Sequence, residues 1–137
     1  MWKIYALLAA VFASLTAIFS KIGVKDIDSN LATAIRVSFI LLLTWGIVLF
    51  TGAAHNIKNV SAHTFTFLLL SAAATGLSWL FYFKALQLGD VSKVAPIDKL
   101  SVAITIFPAI LFLGEPAAPK IIVGGLLITA GSVVLLL

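Results

Sequence analysis

The chain of 137 residues contains no cysteine and few charged residues. Without cysteine there can be no disulfide framework, no thiolate metal site and no cysteine nucleophile. Charged residues make up only 10% of the chain, against about 25% in an average soluble domain, while hydrophobic residues make up 62%. A soluble protein of this size could not hide so much apolar surface, because its exterior needs polar cover. The composition therefore predicts that lipid is part of the solvent.

The sequence also lacks any concentration of charge of one sign. Nine Lys/Arg stand against five Asp/Glu, a formal net charge of +4, but the positive residues are scattered singly between apolar runs. Without a basic stripe we expect no nucleic-acid binding, and lysines at the level of lipid headgroups are the better interpretation. The sequence shows no metal-ligand cluster, catalytic nucleophile or phosphate-binding loop, so we expect neither a cofactor nor a metal.

Long apolar runs are what the sequence has in abundance. A transmembrane helix needs about 20 mostly apolar residues, and five runs of the chain meet that requirement. The predicted fold class is therefore an all-α integral membrane protein with five transmembrane helices. A single domain over residues 1–137 is expected, because the connections have no room for a soluble domain. The helices are predicted at about 3–21, 31–51, 62–88, 91–114 and 118–137.

Five spans would place the two termini on opposite sides of the membrane, which we expect to be the inner (plasma) membrane. The Lys/Arg distribution favours an N-out, C-in orientation. The bias is slight, so insertion in both orientations stays open. Two copies inserted in opposite directions would form an inverted pair, the architecture on which many secondary transporters build alternating access.

The third predicted helix carries aromatic side chains that are candidates for a substrate pathway. Trp79 and Phe83 share one helical row, and Tyr82 lies on an adjacent row beside small and hydroxyl residues. Trp79 would lie roughly 15 Å from the helix end at 1.5 Å per residue, deeper than the usual interfacial aromatic belt. Ordinary packing is the alternative interpretation for these rings, and Lys84 near the helix end can simply extend to the headgroups.

The fourth predicted helix is expected to be distorted by two prolines. Pro96 predicts a kink near Val91–Ser92 or one turn further on, because proline lacks the backbone N–H that continues a helix. Pro108 predicts a second break near mid-membrane. Such breaks free backbone groups that can meet a substrate or an ion. Ser101 and Thr105 lie on one face of this helix and are pathway candidates.

Asp98 and Lys99 are the most informative charges of the fourth predicted helix, because ionisable groups inside a membrane are rare and often functional. Neighbouring residues do not face one another on a helix. We therefore expect separate partners for them: Lys84 or Lys21 for Asp98, and a carbonyl or water for Lys99. A structural ion pair with a snorkelling lysine is the alternative.

The remaining charged candidates lie at the predicted ends of the membrane spans. Arg36 and Lys21 would make one end of a cavity positive, which would suit an anionic group. Glu115 ends the fourth predicted helix and, with Asp98, is a candidate for ion coupling. Its alternative is a solvated residue at the membrane edge.

Four segments carry a resemblance to a known family. KALQLGDVSKVAPIDKLSV at 84–102, FLGE at 112–115, SKIGVKDIDSNLATAIR at 20–36 and GGLLITAGSVVLLL at 124–137 resemble the EamA domain of the drug/metabolite transporter superfamily. Within that superfamily the chain resembles the short bacterial and archaeal branch, in which one five-helix unit stands alone. The resemblance implies one inverted-repeat unit that transports small metabolites or drugs as an antiparallel homodimer. It also implies a central cavity lined by the early helices and by the third and fourth.

Two functional hypotheses from different classes follow. The first is a secondary transporter that exports its substrate by alternating access. The second is a non-transporting membrane accessory subunit, or half of a heterodimeric transporter or flippase. A small multidrug-resistance pump is disfavoured, because that family resembles a four-helix unit with an acid in its first helix and residues 4–20 contain none. An enzyme is not expected, since the loops are too short to build an active site outside the membrane.

Overall fold

The computed structural model describes all 137 residues, and every regular element in it is helical. This confirms the all-α fold class. The polypeptide forms six α-helices and one 3₁₀ segment. In chain order they are α1 (Trp2–Gly23), α2 (Ser29–Phe50), the 3₁₀ segment (Ala53–Asn59), α3 (Ala62–Leu88), α4 (Val91–Asp98), α5 (Leu100–Leu113) and α6 (Pro119–Val134).

Four stretches are long and apolar enough to cross a bilayer: α1, α2, α3, and α4 with α5 taken together. The helix α6 is apolar but has only 16 residues. At 1.5 Å per residue it is about 24 Å long, shorter than a hydrocarbon core of about 30 Å. It ends at Val134 rather than continuing to residue 137 as the apolar run predicts.

Helix boundaries follow local capping chemistry. Asp28 precedes α2, and its carboxylate accepts hydrogen bonds from the backbone N–H groups of Asn30 at 2.9 Å and Leu31 at 3.1 Å. These bonds satisfy donors that the first turn of a helix leaves without partners. Gly114 ends α5 with a φ of 67°, a left-handed conformation that glycine adopts without steric cost.

The fourth predicted helix is interrupted once, and at a different residue from the one expected. The interruption lies at Lys99, between α4 and α5, rather than at or before Pro96. The Lys99 N–H bonds the Pro96 carbonyl at 3.0 Å, and the Val102 N–H bonds the Lys99 carbonyl at 3.0 Å. Both are bonds to the third preceding residue, so the chain tightens into a narrower turn just after the proline.

The prediction of a second break at Pro108 was wrong. Pro108 lies inside α5, which runs without interruption from Leu100 to Leu113. A proline removes one backbone hydrogen bond, whereas unwinding the helix around it would expose several peptide groups to hydrocarbon. Keeping the helix is therefore the less costly solution at this position.

The chain divides into two compact units: residues 20–87 form one, and residues 1–19 with 88–137 form the other. We call them the central unit and the terminal unit. The core of the central unit includes Val24, Phe83 and Leu86, which are buried. In the terminal unit α5 packs on α6, where the Ile106 side chain lies against Gly125. The single domain over residues 1–137 stays a prediction.

Most large apolar side chains of the long helices are exposed in the isolated chain. In the most apolar windows of α1 and α2 only 11% and 6% of residues are buried within the chain, and in the corresponding windows of the other two spans none are. A soluble protein could not leave such surfaces in water, since they would associate. This distribution is what a bilayer requires, because lipid chains cover helix surfaces that face outward.

Candidate functional site

The central unit contains an arginine held against two aromatic rings. The Arg36 guanidinium carbon on α2 lies 4.2 Å from the centre of the Trp79 ring and 5.6 Å from the centre of the Phe83 ring. The two rings are one turn apart on α3 and therefore share a face. Both distances lie within the roughly 6 Å over which a ring quadrupole attracts a cation. The arrangement is a cation–π cluster, which we call the arginine–aromatic cluster (Arg36, Trp79 and Phe83).

Tyr82 borders the arginine–aromatic cluster on α3. It interacts electrostatically with Arg36 and is half-buried. Tyr82, Trp79 and Phe83 were predicted to line a cavity, and the structure places two of them against a cation. Whether a substrate meets these rings stays a prediction.

The end of α3 is tied to the last turn of α1 and to the connection between α1 and α2. The Gln87 side-chain amide donates to the Ile27 carbonyl at 2.9 Å and to the Val24 carbonyl at 3.3 Å. The Lys21 ammonium donates to the Leu86 carbonyl at 2.6 Å. These bonds join residues far apart in the sequence, so they hold the turn of α3 that follows Phe83 in one place.

Lys84 extends from the same turn of α3. Its ammonium donates to the Gln87 side-chain carbonyl at 3.2 Å, and the side chain is exposed. Gln87 thereby links Lys84 to the connection between α1 and α2. The pairing suits a lysine that extends along its own helix toward polar surroundings.

The terminal unit holds the second group of polar residues, at the interruption between α4 and α5. Lys99 and Asp98 form an ion pair of 3.2 Å, with 53% and 36% of their side chains exposed. The expectation of separate partners was therefore wrong. The rule that neighbours do not face one another applies inside a regular helix, and Lys99 lies in the turn between two helices. Its long flexible side chain can reach back to the adjacent carboxylate.

A serine from α6 caps the interruption. The Ser132 hydroxyl donates to the Pro96 carbonyl at 3.0 Å, and Ser132 is buried. The Pro96 carbonyl already accepts a hydrogen bond from the Lys99 N–H, and a carbonyl oxygen has a second lone pair that can accept another. The serine supplies that hydrogen bond from a different helix.

Beyond the interruption, α5, the segment that follows it and the first turn of α6 line a cavity of about 390 Å³. Most of the wall is apolar, and three side chains contribute polar groups: Ser101, Thr105 and Glu115. The Thr105 hydroxyl donates to the Ser101 carbonyl at 2.7 Å, so its oxygen remains available as an acceptor. The lining residues are Ser101, Val102, Thr105, Ile106, Ala109, Ile110, Leu113, Glu115, Pro116 and Ile121.

Interrupted helices, embedded polar groups and a small cavity are features of membrane transport proteins. A family described as the EamA-like transporter family matches this chain over residues 1–137. The chain belongs to that family. It is also 46% identical over 134 residues to an uncharacterized transporter in the cobO 3' region of a Sinorhizobium species, covering 98% of this chain and 95% of that relative. No solved structure matches the chain.

Membership of the EamA-like family confirms the resemblance read from the sequence. Together with the apolar helices it shows that the chain is a multi-pass membrane transporter. The family and the relative's name point to transport rather than catalysis.

The structure of this EamA-like chain distributes the predicted site residues over two groups. The central unit contains Arg36, Lys21, Lys84 and the aromatic residues, while the terminal unit contains Asp98, Lys99 and the cavity residues. Asp98 bonds Lys99 instead of Lys84 or Lys21, which donate to Gln87 and to the Leu86 carbonyl. Within the terminal unit, Asp98 and Lys99 are not among the residues that line the cavity. Their roles in transport stay predictions.

Two residues that organise the EamA-like chain were not among the predicted site residues. Gln87 lies one turn after Phe83 on the same face of α3. A polar amide that follows two aromatic residues on one helix face is the sequence feature that could have indicated its importance. Ser132 follows a glycine in α6, and small residues there predict helix contacts in general. Nothing in the sequence indicates that its acceptor is the Pro96 carbonyl.

Proposed function

We propose that this chain is a secondary transporter that exports small metabolites or drugs by alternating access, working as an antiparallel homodimer. The observation that carries the proposal is the interruption at Lys99 followed directly by the cavity that Ser101, Thr105 and Glu115 line. Discontinuous helices next to polar cavities are sites where secondary transporters bind substrates and coupling ions.

The cavity has the size and chemistry of a small-molecule site. Its volume of about 390 Å³ lies in the range of roughly 300–1,000 Å³ typical of ligand pockets. Its apolar wall offers area for the body of a ligand, while Ser101 and Thr105 offer hydroxyl groups. Glu115 adds a carboxyl group that can accept hydrogen bonds. We propose that Glu115 and Asp98 couple transport to an ion gradient.

The homodimer follows from the inverted architecture of secondary transporters. A five-span unit inserted in both orientations generates a pair related by a two-fold axis in the membrane plane. Each chain would then contribute half of the pathway. One copy would have the N-out, C-in orientation and its partner the reverse, which is compatible with a Lys/Arg bias that is only slight.

Reconstitution into vesicles tests the transport proposal. Purified protein in vesicles with a proton or a sodium gradient is supplied with a panel of metabolites and cationic drugs. Uptake into inside-out membrane vesicles prepared from cells that contain the protein reports the export direction. We expect gradient-driven accumulation that Thr105→Val reduces at least severalfold. Thr44→Val is the matched control, because Thr44 also bonds a carbonyl of its own helix but lies on α2 outside the cavity.

Failure of folded protein to move any compound under either gradient would contradict the transport proposal. Equal loss in the Thr105 and Thr44 variants would assign the effect to helix stability instead of the cavity.

Accessibility of tags at the two termini tests the homodimer separately. An antiparallel homodimer requires that a tag on one terminus is reached from both sides of the membrane. Labelling from one side only would exclude it and favour a heterodimeric partner or an accessory role. Cross-linking between copies in the native membrane, followed by mass determination, supplies the second measurement.

A further inference from the structure

The arginine of the arginine–aromatic cluster is positioned without any acceptor for its hydrogen bonds. Arg36 contacts the Trp79 and Phe83 rings and interacts electrostatically with Tyr82, but it forms no ion pair and no hydrogen bond within the chain. Attraction between a cation and a ring face does not use N–H donors. A guanidinium carries five such donors in a planar fork. The Arg36 donors therefore remain available to a group from outside the chain.

The acids of the central unit do not neutralise Arg36. This unit has two acids, Asp26 and Asp28, and five Lys/Arg. An oxygen of Asp28 accepts the backbone N–H groups that begin α2, and Asp26 is exposed and forms no ion pair. The unit carries a net positive charge, and its arginine lacks a carboxylate partner.

An ionised group inside a membrane protein without a partner is costly, so such groups pair or mark a pathway. The bonds of Gln87 to the Val24 and Ile27 carbonyls hold this end of α3 in place, and the guanidinium rests on the two rings of that helix. A guanidinium fixed in advance loses less entropy when it binds a ligand. Its fork matches the two oxygens of a carboxylate or phosphate.

We infer that Arg36 is an anion-recognition residue that binds a carboxylate or phosphate group through its N–H fork. The inference deepens the proposed function, on which it rests, because it assigns an anionic group to the transported substrate. An anionic lipid headgroup offers the same chemistry. The two sources differ in whether the anion is dissolved or part of the bilayer.

Trp79 provides a reporter for the binding test. Trp2 and Trp45 are 73% and 45% exposed, so Trp2→Phe and Trp45→Phe leave Trp79 as the single tryptophan with little effect on packing. The protein is placed in phosphatidylcholine nanodiscs and titrated with inorganic phosphate or succinate at constant ionic strength. Succinamide is the uncharged control probe. A second set of nanodiscs contains phosphatidylglycerol and receives no added anion.

A saturable change in Trp79 emission with phosphate or succinate, absent with succinamide, is the expected result for a dissolved anion. A change only in phosphatidylglycerol nanodiscs assigns the site to a lipid headgroup. Arg36→Gln is expected to abolish the response in either case. Arg36→Lys keeps the charge but loses the bidentate fork, so it should weaken binding by about tenfold.

Lys58→Gln is the matched charge control, because Lys58 is an exposed cation of the same unit outside the arginine–aromatic cluster. It should leave the dissociation constant unchanged. No response of the Arg36-containing protein to any probe would overturn the inference, whether or not Arg36→Gln folds. An equal response in Arg36→Gln, or an equal loss in Lys58→Gln, would overturn it as well. The assay needs no gradient, so its failure is distinguishable from a failure of transport.

Discussion

The arginine–aromatic cluster and the interruption at Lys99 both place charge within apolar helices, but they hold it in different ways. Arg36 rests on two rings from another helix, next to a turn that Gln87 and Lys21 tie to a third segment. Asp98 and Lys99 hold mainly each other, with about half of the lysine exposed. The first arrangement depends on long-range packing and the second on local contacts. We therefore expect the cluster to govern stability and the interruption to govern movement.

The largest expected effect is a loss of stability in Phe83→Ala. Phe83 is 3% exposed and forms one of the two rings beneath Arg36, so its removal leaves a cavity and a less supported cation. The expected cost is about 3 kcal/mol, by analogy with buried phenylalanines elsewhere. The measurement is reversible unfolding in mixed micelles.

Phe81→Ala is the control for that change, because Phe81 lies on the same helix with 74% of its surface exposed. It should change stability by a small fraction of the Phe83 effect. Similar losses in both variants would contradict the view that the arginine–aromatic cluster is the better packed of the two regions.

Gly125→Val should have the next largest effect, through the packing of α5 on α6. A Cβ at Gly125 would lie 2.6 Å from the Cδ1 atom of Ile106, and a branched side chain would add to that overlap. Overpacking of this kind costs about 1–3 kcal/mol. Because Ile106 also lines the cavity, we expect altered transport in addition to lower thermal stability.

Gly124→Val is the matched control, since a Cβ at Gly124 meets nothing within 4 Å. Combining Gly125→Val with Ile106→Ala should restore most of the lost stability. If the double variant is no more stable than Gly125→Val alone, the strain does not arise from the contact between residues 125 and 106.

Ser132→Ala tests whether the interruption at Lys99 is held from outside its own helix. The variant removes the hydroxyl that donates to the Pro96 carbonyl, at an expected cost of about 1 kcal/mol. Faster hydrogen exchange at the amides of Lys99 and Leu100 is the specific readout. Ser38→Ala is the control, because that exposed hydroxyl bonds only a carbonyl of its own helix. Unchanged exchange in Ser132→Ala would show that the interruption needs no external support.

The smallest effect on stability is expected from Asp98→Asn. Exposed ion pairs contribute roughly 0–1 kcal/mol, so removing this carboxylate should hardly change thermal unfolding. The proposed coupling role instead predicts a changed dependence of transport on the proton gradient. If Asp98→Asn lost much stability while its transport kept the same dependence on the proton gradient, the interruption would govern stability and not movement. That result would contradict the contrast drawn between the two regions.

Much of the fold followed from simple sequence properties. Run length and composition predicted the helices, and a polar connection or a glycine stands close to each end, as at Gly114. The prolines were harder to interpret. Pro96 lies in a helix that ends two residues later, whereas Pro108 lies in a helix that continues unbroken. The outcome depends on which hydrogen bonds the surroundings replace.

The candidate site was predictable in its residue types but not in its pairings. Charges and aromatics in apolar helices indicated Arg36, Trp79 and Asp98 as residues of interest. Their partners were not foreseeable, because helical spacing describes contacts within one helix and says nothing about which neighbouring helix supplies a ring, a carbonyl or a hydroxyl. The ion pair of Asp98 with Lys99 forms because the regular geometry ends between them.

The sequence by itself determined that this protein is a membrane protein, that it is helical and that it belongs to a family of transporters. The membrane setting and the helical framework come from composition and local apolar runs, which do not depend on how the helices pack. The family follows from the resemblance of particular sequence segments. Only the tertiary structure decided that Arg36 rests on rings without an acceptor, that Ser132 caps the carbonyl of Pro96 and that Thr105 lines a cavity with Glu115. Each of these depends on distances between residues remote in sequence, and such distances exist only after the helices have packed.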